Sequence, residues 1–159
     1  MKKVCAFVLM SALVLALSSC ATYDYENEVL SSLGEYKDHV FYSEGVFQDF
    51  TDYGKYYYDS VDFSDNKYFS KIQPNDLEDL NEHLDNFERW IETYREGDAS
   101  LEIVVNYDFD RSVIDHEDYL YIESEKYDPW DDGNMVFASY DVYFFDIQTN
   151  TLYYFHNNV

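Results

Sequence analysis

Basic residues are scarce in this 159-residue chain: ten Lys and Arg stand against 33 Asp and Glu, for a net charge of −23. Nucleic-acid binding depends on clustered cations that neutralise phosphate, so that class is excluded. Cysteine is nearly missing, with only Cys5 and Cys20 present, too few for a disulfide framework or a cysteine-type zinc site. Two prolines and five scattered glycines form no phosphate loop or dinucleotide fingerprint, and neither H-E-x-x-H nor a nucleophile elbow occurs. These absences point away from catalysis, so no catalytic residue and no cofactor is assigned. Aromatic residues, by contrast, are abundant: 18 Tyr, 12 Phe and 2 Trp. A chain so rich in rings can bury enough apolar surface to fold, which excludes intrinsic disorder. Its length suits one domain.

The first twenty residues carry an address. Lys2 and Lys3 precede an apolar run over residues 4–17, broken only by Ser11. That run is shorter than the ~20 residues a membrane span needs, and it suits the core of a secretory signal. The run ends in Leu17-Ser18-Ser19-Cys20, which resembles the lipobox of bacterial lipoproteins. The resemblance implies a signal peptide over residues 1–19 and a lipid on the Cys20 thiol. It also implies a place in the bacterial cell envelope, anchored on the extracytoplasmic side of a membrane. Removing Lys2 and Lys3 leaves eight bases against 33 acids, and the charge moves from −23 to −25. Anionic headgroups repel such a body, so the lipid would hold it rather than the protein surface.

Residues 20–40 are expected as a lead or tether, and residues 41–159 as a single domain. Within the lead, Val29, Leu30 and Leu33 have the spacing of a short amphipathic helix. Residues 41–59 place Phe47, Phe50 and Tyr57 on one helical face, although Gly54 weakens that helix. The clearest element lies over residues 75–96. Leu77, Leu80, Leu84, Phe87, Ile91 and Tyr94 recur at helical spacing, with Trp90 widening the stripe. Asn75 and Glu78 suggest a capping box, and Gly97 a stop. After Gly97 the pattern is that of strands: 101–109, 119–126, 141–146 and 151–156, the last two joined by a four-residue loop at 147–150. The expected fold is α+β, one long amphipathic helix on a curved antiparallel sheet of about four strands.

Candidate chemistry is sparse. Asp108 and Asp110 alternate at the end of the expected strand 101–109, where paired carboxylates can serve acid–base chemistry or hold calcium. His116 lies in the run Asp115-His116-Glu117-Asp118, a candidate divalent-cation site or a solvated turn. Trp130 sits in the loop Asp128-Pro129-Trp130-Asp131-Asp132-Gly133, where an exposed ring could stack on a sugar or a partner side chain. The leading expectation is an acidic binding or accessory module for a basic protein, peptide or cation. The second is a glycan-binding or glycan-hydrolysing surface protein built on Asp108, Asp110 and Trp130.

Overall fold

A computed structural model describes residues 28–46 and 49–158. Cys20 and the lipobox lie outside the described residues. The chain forms six antiparallel strands: β1 (Asp38–Val46), β2 (Asp49–Tyr57), β3 (Ser70–Lys71), β4 (Tyr119–Tyr127), β5 (Val136–Asp146) and β6 (Thr151–Asn158). They make one open sheet in the order β1-β2-β6-β5-β4-β3. The fold is thus α+β with a main helix on an antiparallel sheet, and six strands replace the expected four.

The two extra long strands come from residues 38–46 and 49–57, expected in part as helix. Alternation explains the difference. Thr51 and Tyr53 point to one face, while Asp52 and Tyr56 point to the other, in a segment rich in β-branched and aromatic residues. Gly54 breaks a helix but suits this sheet. A Cβ there would sit 3.1 Å from the Tyr56 ring and 3.3 Å from Phe41, so the missing side chain lets both rings close over the backbone.

The long helix, α2 (Asp76–Gly97), follows a short one, α1 (Glu28–Ser31). Leu80, Leu84, Phe87 and Ile91 of α2 are buried as their spacing requires, and His83 joins them. Leu77 does not; it is 38% exposed at the helix start. The expected cap also differs. Asn75 makes no side-chain capping bond, and Asp76 instead accepts from Gln73 N–H at 2.8 Å. At the far end Asp98 N–H bonds Tyr94 O at 2.7 Å, closing the helix just beyond Gly97.

Residues 101–109 are not a strand. Helix α3 (Glu102–Asn106) forms there, with Val105 N–H bonded to Leu101 O and Tyr107 N–H to Ile103 O. A strand would turn Ile103 and Val105 to the same side. Here the consecutive Ile103 and Val104 are both buried, while Val105 is 64% exposed. Packing on the core overrides the β preference of three branched residues. A 3₁₀ turn, Arg111–Val113, follows.

Both sheet faces carry a core. On the first, α2 and α3 cover Tyr53, Leu120, Val142, Phe144 and Phe155. On the second, Val29 and Leu33 pack with Tyr56, Tyr58, Phe69, Tyr143, Phe145 and Leu152. Residues 28–40, expected as part of a lead, therefore contribute to the folded body. The central strand β5 is buried without alternation from Tyr143 to Asp146 because layers lie on both of its sides. Among the described residues, no helix is long and apolar enough to cross a membrane.

Candidate functional site

The residues singled out above fall in separate places. Asp108 accepts bonds from Tyr53 OH at 2.8 Å and Lys55 Nζ at 2.6 Å. Desolvation opposes its ionisation, but these two bonds outweigh it and hold the carboxyl below its usual range. Asp110 serves the backbone instead, its Oδ1 capping the 3₁₀ turn by accepting from Ser112 N–H at 2.9 Å. With α3 in place of a strand, the two carboxylates do not alternate along a sheet.

The run at 115–118 builds a turn. Asp118 is fully buried and accepts from Asp115 N–H and Ile147 N–H, while Asp115 accepts from Glu117 N–H and Gln148 Nε2. His116 points outward beside Glu117. Among the described residues, no three His, Cys, Asp or Glu side chains converge as a metal site requires.

Trp130 is 74% exposed, and its loop is braced from within. The Asp128 carboxylate accepts from the N–H groups of Trp130, Asp132 and Gly133, at 3.2, 3.3 and 2.6 Å. Asp131 and Gly133 both adopt positive φ to make this turn. The ring is thereby presented by a loop braced on the Asp128 carboxylate.

The sheet also assembles a polar row across its second face. Strand register aligns Ser43 with Asp52, Asp52 with His156, His156 with Asp141, and Asp141 with Glu123. His156 Nδ1 lies 3.0 Å from Asp141 Oδ1, and Tyr154 OH donates to the same oxygen at 2.6 Å. Asp52 Oδ1 is sheltered from solvent and has no hydrogen-bond partner. Burial raises the Asp52 carboxyl above its usual range, opposed by the neighbouring Ser43 hydroxyl and the His156 charge. For His156, burial pulls the other way, but the bond to Asp141 and the charges of Asp141 and Asp52 prevail and raise its pKa. The His156 ring thus stands between the side chains of Asp141 and Asp52.

Part of this row was within reach of the sequence. A four-residue loop at 147–150 pairs Asp146 with Thr151, and counting five residues outward on each strand pairs Asp141 with His156. No local signal joins Asp52 and Ser43 to them, because β2 reaches β6 from about a hundred residues away.

Other buried polar groups are structural. His83 is 1% exposed, with Nδ1 bonded to Asp79 O and Nε2 to Ser124 Oγ, so both ring nitrogens are satisfied within the fold. Glu88 and Asp85 hold Arg111, which ties α2 to the 3₁₀ turn. Comparison with protein-family models, curated proteins and solved structures returned no match. The functional reading therefore rests on these residues alone.

Proposed function

We propose that this chain is a lipid-anchored, extracytoplasmic acidic module of the bacterial envelope that binds a basic protein, peptide or cation. The supporting observation is how its few cations are used. Lys37, Lys55, Lys67, Lys71, Lys126, Arg95 and Arg111 are each held by one of the chain's own acids. They are seven of the eight Lys and Arg among the described residues. Among the described residues most acids therefore have no basic partner, and their field favours cationic surfaces. The anchor rests on the lipobox resemblance at Cys20.

A second reading keeps the exposed Trp130 as a stacking platform for sugar in a glycan-binding protein. Salt separates the two, because raising NaCl from about 20 to about 500 mM shortens electrostatic screening from roughly 20 to about 4 Å. Full-length protein should stay on poly-L-lysine resin at the lower salt and elute at the higher. No retention at low salt would refute the acidic-module reading. Salt-resistant retention on chitin or cellulose beads, lost in Trp130→Ala, would replace it with the glycan reading.

A further inference from the structure

Among the described residues, the two faces of the sheet are not equally covered. Helices α2 and α3 lie along the first. On the second, α1 and the 58–69 segment supply cover as far as the row of Tyr121, Tyr143 and Tyr154. Beyond that row come Ser43, Asp52, His156, Asp141 and Glu123, then Phe50, Asn158, Ser139 and Glu125, and finally Tyr127 beside Val136. Adjacent strands lie about 4.8 Å apart, so five strands give this area a width of about 19 Å.

Its chemistry is one-sided. Four acids, Asp52, Asp141, Glu123 and Glu125, share it with one histidine, and no Lys or Arg of the described residues falls in these rows. Lys55 and Lys126 belong to the same strands but point to the opposite face, toward Asp108 and Glu82. Exposed rings border the acids. Phe41 is 44% and Phe50 37% exposed, and Tyr127 is half-exposed where the area meets the Trp130 loop. Rings beside carboxylates suit arginine and lysine side chains, whose stems pack on apolar surface while the head reaches an acid.

We propose that this open half of the second sheet face is the docking surface for a basic protein segment. The proposal rests on the acidic-module reading and gives it a location. Arginine or lysine heads of the partner meet the exposed Glu123 and Glu125, with Asp141 and Asp52 adding to the field behind them, and its apolar side chains meet Phe41, Phe50 and Tyr127. Charge argues against a second copy of this chain as occupant, because like would face like in a body of net charge −23.

The experiment compares two pairs of neutralised acids that remove equal charge. One pair, Glu123→Gln with Glu125→Gln, lies on the proposed surface. The other, Glu78→Gln with Glu96→Gln, lies on the exposed side of α2. Binding of a nona-arginine peptide to the full chain is measured by calorimetry at about 20 mM NaCl. The sheet pair should weaken binding at least fivefold and the helix pair less than twofold. Phe41→Ser, added to wild type alone, should weaken it about threefold with the charge unchanged. All these side chains are exposed, and circular dichroism checks that each variant is folded. Equal weakening by both pairs would overturn the docking surface and leave the acidic-module reading standing. Absence of wild-type binding would remove both.

Discussion

His156 shows how a single side chain takes its properties from neighbours on other strands. Its folded pKa lies above the ordinary histidine value because Asp141 and Asp52 flank it. A raised pKa means that the folded state holds the proton more tightly. The stabilisation is therefore complete below about pH 6.5 and fades as pH rises through the folded value. His156→Gln should lower the thermal midpoint at pH 6 by about 5 °C, on the order of 1.5 kcal/mol. The gap between wild type and variant should narrow by pH 8.5, and a constant gap would show that the imidazolium contributes no charge-dependent stability. Asp108 teaches a related lesson. Composition and spacing marked it as a candidate, but Tyr53 and Lys55 already occupy both of its oxygens.

Among the elements, α2 was the most legible, because an amphipathic helix is specified by its own stripe. The structure sharpens which members of that stripe matter. Phe87 is fully buried, with its ring 5.3 Å from Phe155 and 5.6 Å from Tyr107. Phe87→Ala should cost about 4 kcal/mol. Leu77→Ala, at the exposed start of the same stripe, should cost less than about 1 kcal/mol. Urea unfolding of both variants measures this, and equal losses would mean that α2 is rotated or shifted on the sheet. The β5–β6 hairpin was legible for a similar local reason, since a short loop sets its register. The β1–β2 hairpin and α3 were not. Aromatic and β-branched residues at 38–57 and 101–109 are compatible with either periodicity over a few turns, and the surface against which they pack chooses between them.

At the scale of the molecule, the acidic body is paired in the proposal with a lipid anchor that would hold it to a membrane. The anchor makes a direct prediction. Cys20→Ser should abolish metabolic labelling with a palmitate analogue and release the protein from the membrane fraction, whereas label that persists would refute lipidation at Cys20. A body of this charge needs such a tether near anionic lipid, because its surface field opposes adsorption. The folded part reaches back at least to Glu28, with Val29 and Leu33 seated in the second core.

The sequence by itself determined the charge, the aromatic core material, the lipobox resemblance, the long helix and the last hairpin. Each is written in composition or in periodicity over a few turns. Tertiary structure decided that residues 38–46 and 49–57 are strands, that 102–106 is helix, and that Asp52, His156, Asp141 and Glu123 share a row. The reason is sequence distance. Sheet register brings together side chains from four strands, the first and last separated by about a hundred residues, and no local pattern encodes that meeting. The excess of acid was visible from the start, but only the fold gathers part of it on one face that the other described residues leave open.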